Sequence, residues 1–218
     1  MNKEKTNRVL EYFDELFPDA YCELNHESDF QLLVAVMLSA QTTDKKVNQL
    51  TENLFKKYPT VEAVSQASLP ELEQDIKTIG LYRNKAKNLL ALSHVLIEQF
   101  DGIVPSDQKQ LESLPGVGRK TANVVRSVCF DIPAIAVDTH VERIAKRLGL
   151  AKVGDSVEVV EQKLKRKIKR ERWNRAHHLF IFFGRYQCTA RNPQCDQCPF
   201  ASFCKKDKLE AYRSQKKS

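Results

Sequence analysis

Four cysteines fall within a short stretch near the end of the chain: Cys188, Cys195, Cys198 and Cys204, spaced C-x6-C-x2-C-x5-C. A loop whose ends and middle converge on one centre has few shapes open to it, so no other feature constrains the fold as tightly. Thiols grouped in this way bind metal or pair as disulfides. Zinc sites more often show two C-x2-C pairs, each forming half of a tetrahedron. Here there is one such pair, flanked by wider gaps, and Cys198 is followed by Pro199, a Cys-Pro pair like the one that ends bacterial iron–sulfur runs. The spacing favours a [4Fe–4S] cluster, with zinc and disulfides or free thiols as alternatives.

The chain has 218 residues, enough for one large domain or two small ones with a real core. Its formal net charge is +7 and its pI about 9.1. A basic balance of this size favours a polyanionic partner, most often nucleic acid, although a merely basic enzyme fits the charge as well. Residues 1–17 mix Lys3, Glu4, Lys5, Arg8, Glu11, Asp14 and Glu15 and lack an apolar signal core. The longest apolar run, 32–38, is too short to cross a bilayer. A reducing compartment is therefore expected, where thiols hold metals rather than pair. Cys129 follows Val124, Val125 and Val128 and reads as a small buried residue.

Periodicity is helical nearly throughout, and the expected fold class is all-α. Val9, Phe13, Leu16 and Phe17 make one apolar stripe before Pro18. Residues 30–38 are apolar all round, as in a central buried helix. Further helices are expected over 44–58, 69–76, 84–100, 118–130, 139–148, 156–168 and 173–186. In 156–168, Val157, Val160, Leu164 and Ile168 share a face. No alternating stretch reads as a strand, and 215–218 reads as a frayed tail. Ile79-Gly80-Leu81 with Lys85-Ala86 echoes the segment 114–118 with Lys120-Thr121-Ala122, suggesting two helical hairpins.

The second of these has specific physics. Pro115 fixes the exit of one helix. Gly116 and Gly118 permit positive φ and remove side chains that would block a ligand. Backbone N–H groups can then face an anion beside the next helix N-terminus. The pattern resembles the helix–hairpin–helix motif that binds DNA phosphates, the plain alternative being a turn. Lys120 sits just inside the following helix, beside Arg119. The helix N-terminus, Arg119 and any burial all disfavour its charge, which suits a nucleophile; a solvated, phosphate-contacting lysine is the plainer reading. Asp138, in Val137-Asp138-Thr139-His140-Val141, is a good N-cap. It could also serve as a carboxylate that takes a proton or supports positive charge on a sugar.

The ordered set 114–123, then 137–143, then the four cysteines resembles the endonuclease III family of base-excision DNA glycosylases, over nearly the whole chain. The resemblance implies two helical domains: a six-helix barrel carrying the hairpin (22–133), and a discontinuous cluster domain (1–21 with 134–218) binding [4Fe–4S] through Cys188, Cys195, Cys198 and Cys204. It implies Lys120 as nucleophile and Asp138 as catalytic carboxylate, with oxidised pyrimidines in duplex DNA as substrates. A lysine Schiff base would then promote β-elimination. An adenine-specific relative usually lacks this lysine and is longer at the C-terminus. The implied setting is a monomer in the cytoplasm, associated with the nucleoid, with damaged or abasic duplex DNA as partner and no membrane.

Gln41 resembles the family residue that enters the vacated base stack, and Leu81 its apolar wedge; from the residues alone, one is a loop residue and the other half-buried. Arg191, between the first two cysteines, could be presented to a phosphate, with Lys205, Lys206 and Lys208 close behind. The run Lys163, Lys165, Arg166, Lys167, Lys169, Arg170, Arg172 is a solvated face or a source of attraction to DNA. His140 can shape the active mouth, at least one of His177 and His178 reads as structural, and Trp173 as packing. The competing functions are a monofunctional or mismatch glycosylase of the same fold, and a non-catalytic iron–sulfur DNA-binding protein.

Overall fold

The computed structural model describes residues 2–215, and no strand occurs among them. The α-helices are α1 (Lys3–Leu16), α2 (Asp29–Leu38), α3 (Asp44–Lys57), α4 (Val61–Ser65), α5 (Leu69–Ile76), α6 (Tyr82–Phe100), α7 (Gln108–Ser113), α8 (Arg119–Cys129), α9 (Thr139–Arg147), α10 (Val157–Lys167), α11 (Trp173–Phe182) and α12 (Lys206–Gln215). They form two compact units, Glu23–Asp131 and the discontinuous Met1–Cys22 with Ile132–Ser218. No helix among the described residues is long and apolar enough to cross a membrane.

In the unit Glu23–Asp131, α2 is the centre. Every residue from Phe30 to Leu38 is buried, as the all-round apolar pattern requires, and α3, α6 and α8 pack on it. Side chains cap most helices of this unit: Ser28, Thr43, Thr60, Ser68 and Asp107 each accept a first-turn amide, and Ser68 with Glu71 forms a reciprocal capping box. The exceptions are α6, which begins at Leu81, and α8, which begins at Gly118; neither start carries a side-chain cap.

In the other unit, α1 joins the C-terminal helices through a phenylalanine core. The Phe13 ring stacks on Phe183 at 4.1 Å between centroids and meets Phe180 edge-on at 5.5 Å. Polar contacts fix the same junction. Asp14 pairs with Arg172 at 2.6 Å and with Arg175 at 2.7 Å. Arg175 also donates to the carbonyls of Phe17 (2.9 Å), Pro18 (2.9 Å) and Ala20 (2.7 Å), which follow the end of α1. The chain that leaves α1 enters no further helix at once, and a guanidinium from more than 150 residues away in sequence supplies donors to its carbonyls.

Several expectations change. Val157 and Leu16 are exposed, at 41% and 38%; the inward face of α10 is Val160, Glu161 and Leu164, with Glu161 held by Lys165 at 2.6 Å. Lys163 and Arg172 are likewise paired, with Asp155 and Asp14, so part of the cationic run serves the fold. Trp173 packs as expected and donates to Ile168 O at 3.0 Å. Cys129 is only half-buried. Helix α11 stops at Phe182 and a wider π-type turn, Phe183–Gln187, leads into Cys188. Helices α4 and α12 are additions, while α7 is the helix expected to exit at Pro115; Gln215 closes α12, and the rest of the supposed frayed tail, 216–218, lies outside the described residues.

Arg175→Leu should lower the free energy of unfolding by about 2 kcal/mol, because three carbonyls and Asp14 lose a charged donor together. Asp14→Asn should cost less, about 0.5–1 kcal/mol. Urea denaturation followed by circular dichroism at 222 nm measures both, and equal costs would contradict the carbonyl role of Arg175.

Candidate functional site

The hairpin between α7 and α8 is a type II turn. Val117 N donates to Leu114 O at 3.1 Å, Pro115 occupies the second position, and Gly116 the third, with φ +77°. Gly116 is required twice, since a Cβ there would also lie 2.9 Å from Asn88 Cβ and 3.0 Å from Met37 Sδ. Gly118 differs from expectation. Its φ is −98°, which any residue adopts, and a Cβ on it would meet open space. What Gly118 contributes is the absence of a side chain over the first turn of α8. Buried Leu114 and Val117 anchor the turn from below, and Arg126 ties α8 back to Ser106 O (3.2 Å) and Gln108 Oε1 (2.9 Å). Arg119 and Lys120 are exposed on this turn, so the burial envisaged for Lys120 is absent.

The same unit carries Gln41 and Leu81. Gln41 lies between α2 and α3 with φ +57°, and Leu81 opens α6 with φ +59°. The other non-glycine residues with positive φ among those described are Asp101 and Asp131, a residue type that tolerates this region; Gln and Leu do so much less readily. Leu81 is 56% exposed, not half-buried.

In the other unit, Asp138 caps α9: its Oδ1 accepts from His140 N at 2.9 Å and Val141 N at 2.8 Å, and Oδ2 takes part in neither bond. Two residues on, burial pushes the His140 imidazole below the usual histidine range. Gly184 packs against it so closely that a Cβ would sit 2.9 Å from His140 Cβ. His178 is held down to about 3 by burial and does not charge at neutral pH; the ring of buried His177 lies tilted against it, 5.0 Å away between centroids.

Two arginines of α9, neither foreseen, organise the cysteine loop. Arg143 donates to Gly184 O at 2.6 Å and Cys188 O at 3.2 Å. Arg147, 2% exposed, donates to Thr189 O (2.7 Å), Ala190 O (3.2 Å) and Cys188 Sγ (3.2 Å). Nothing in the sequence marked them, since they share their side of α9 with Thr139, His140 and Lys146 and read there as a solvated face. Arg191 stands exposed on the loop so tethered. Cys188, Cys195, Cys198 and Cys204 all line a cavity of about 220 Å³ with Arg147 and Phe183. Yet no three His, Cys, Asp or Glu side chains among the described residues are placed to hold a single metal ion. Four thiols lining one cavity are the donor set that holds an iron–sulfur cluster. Burial pushes the Cys198 and Cys204 thiols up, and the neighbouring cysteines add repulsion, so a bound cationic cluster core would relieve the crowding.

Lys120 and Asp138 belong to different compact units, each presented at a helix start. Residues 34–170 match the model of the HhH-GPD superfamily base excision DNA repair protein, and 188–204 match the iron–sulfur binding domain of endonuclease III. The endonuclease III of Bacillus subtilis (strain 168) is 54% identical over 205 residues, 94% of each chain. That of Escherichia coli (strain K12) is 44% identical over 211 residues, 96% of this chain and all of the other. A solved structure of a trapped endonuclease III–DNA covalent intermediate matches with TM-score 0.93 and 52% identity over 97% of this chain and 99% of that one. With a matching repair-domain model over most of its length, a matching cluster domain and near-complete coverage of these relatives, the chain belongs to the endonuclease III family.

Proposed function

We propose that the chain is a bifunctional DNA glycosylase and abasic-site lyase that removes oxidised pyrimidines from duplex DNA, with Lys120 as nucleophile and Asp138 as carboxylate. The observation that carries this reading is Lys120 itself: a primary amine exposed on the first turn of α8, directly after an uncapped glycine start. A 52%-identical relative trapped covalently on DNA supports it. The family and the absence of a membrane-crossing helix among the described residues are consistent with a monomer acting at the nucleoid in the cytoplasm.

The chemistry follows from the parts. Amides of the hairpin and the α8 N-terminus hold backbone phosphates without reading sequence, and Arg191 adds a further contact. The damaged nucleotide leaves the stack, at a cost of roughly a few kcal/mol, while Gln41 and Leu81 enter the gap. The Lys120 amine, freed of a proton with Asp138 assisting, attacks C1′; the glycosidic bond breaks and the base departs with its electron pair. Ring opening gives a Schiff base. Loss of a C2′ proton expels the 3′ phosphate by β-elimination, and water then releases Lys120. Cys188, Cys195, Cys198 and Cys204 would hold the cluster, which supplies rigidity to the loop bearing Arg191 rather than a redox step.

Borohydride should trap wild type on a thymine-glycol duplex, and Lys120→Gln should yield no adduct. A retained adduct would assign the nucleophile elsewhere, and base release without trapping would mark a monofunctional enzyme. Asp138→Asn keeps a good N-cap. It should hold its denaturation midpoint while single-turnover excision falls by about 10²–10⁴. Asp138→Ala should lose about 1 kcal/mol of stability besides. Purified protein should be yellow-brown, absorb near roughly 410 nm and contain about four irons per chain; colourless zinc protein would refute the cluster assignment.

A further inference from the structure

Lys85 is a buried cation that the chemistry above does not use. It lies in the first turn of α6 and is only 5% exposed. Its ammonium donates to Leu38 O at 2.9 Å, Ala40 O at 2.7 Å and Thr42 Oγ1 at 3.2 Å. Three acceptors match the three donors of an ammonium group. Leu38 O is one of the carbonyls left over at the end of α2, where the helix dipole also favours a cation. The other two acceptors bracket Gln41. Ala40 O belongs to the peptide plane that enters Gln41, and Thr42 is the residue that follows it. The Lys85 backbone meanwhile donates to Leu81 O at 3.0 Å, the bond that opens α6.

One residue thus contacts both segments that hold a bulky side chain in the left-handed region, Gln41 at φ +57° and Leu81 at φ +59°. Such conformations cost free energy and persist only where the surroundings over-determine them. We infer that Lys85 is a positioning residue for base extrusion, clamping the Gln41 loop to the Leu81 turn so that the two gap-filling side chains are set as a pair before DNA arrives. Burial pushes the ammonium below the usual lysine range, consistent with a group committed to internal bonds. The inference rests on the proposed gap-filling role of Gln41 and Leu81, and it predicts a defect confined to substrates that must be unstacked.

The test compares two single-turnover rates for each protein: excision of thymine glycol from a duplex, and cleavage of an abasic site in a single strand, which needs no extrusion. Lys85→Met should lower the ratio of the first rate to the second at least tenfold, as should Gln41→Ala and Leu81→Ala. The rise in 2-aminopurine fluorescence opposite a reduced abasic site, on binding, should fall to less than half of the wild-type rise. If Gln41→Ala and Leu81→Ala lower the ratio but Lys85→Met stays within twofold of wild type, the Lys85 role is wrong while the gap-filling reading stands. If none of the three lowers it, the gap-filling reading fails. If Lys85→Met slows both rates equally, Lys85 only supports the scaffold and the inference fails. Should Lys85→Met not fold, Thr42→Val replaces it: removing one acceptor should lower the ratio about threefold, and an unchanged ratio overturns the proposal.

Discussion

The bond from a cationic side chain to a main-chain carbonyl is the interaction on which this structure depends. A fold built only of helices leaves unpaired carbonyls at every helix C-terminus, and there is no sheet to absorb them. Arg175 takes those after α1, Lys85 takes one at the end of α2, and Arg143 and Arg147 take those around Cys188. Charge-assisted bonds are roughly twice as strong as neutral ones, and a helix C-terminus is partially negative, so a cation is the efficient donor. Some of the chain's positive charge is therefore consumed internally. The formal +7 overstates what faces a nucleic acid through specific groups, although at distance the net charge still attracts one.

Helix N-termini are treated in the opposite way. Asn2, Asp138 and Ser156 in one unit, and Ser28, Thr43, Thr60, Ser68 and Asp107 in the other, close their helices with side-chain acceptors. In the unit Glu23–Asp131 only α6 and α8 lack one. These are the helices that begin at Leu81 and at the Pro-Gly hairpin. An uncapped start leaves amides and a positive dipole end available to an external anion. Asp138 closes α9 with one oxygen fixed by two amides, so its carboxylate is held rigidly at a helix mouth.

What the sequence disclosed follows the same division. The long helices carried their own period, and residues 69–76 and the largely apolar α2 were legible to within a residue. Helices α4 and α7 have five and six residues, too few to display a period, and α12 buries little besides Leu209. Lys120, Asp138 and the four cysteines stand in compact motifs and could be named at once. Lys85, Arg143, Arg147 and Arg175 could not. A lysine or arginine in a string of letters reads as solvated, and their acceptors are carbonyls some 40 to 160 residues away that any residue type would provide. Gly118 misled for a related reason: a glycine can serve by its conformation or by its missing side chain, and composition does not distinguish the two. Gln41 and Leu81 acquired meaning only through resemblance, since strain is a property of φ and not of residue type.

That strain connects scaffold to chemistry. Holding a non-glycine residue in the left-handed region costs on the order of 1–3 kcal/mol, a sum comparable for the pair to the roughly few kcal/mol needed to unstack a nucleotide. A loop free to relax would have to be forced into that shape during extrusion, adding its own penalty to that of the DNA. With the shape already set in the free protein, the reorganisation is met at folding rather than at each encounter. Phosphate contacts through backbone amides carry no base information, so discrimination must reside in how readily a given nucleotide leaves the stack and in the pocket that receives it. A damaged or poorly paired base leaves most easily, and in the role proposed for Gln41 and Leu81 a pair already in place would convert that ease into rate.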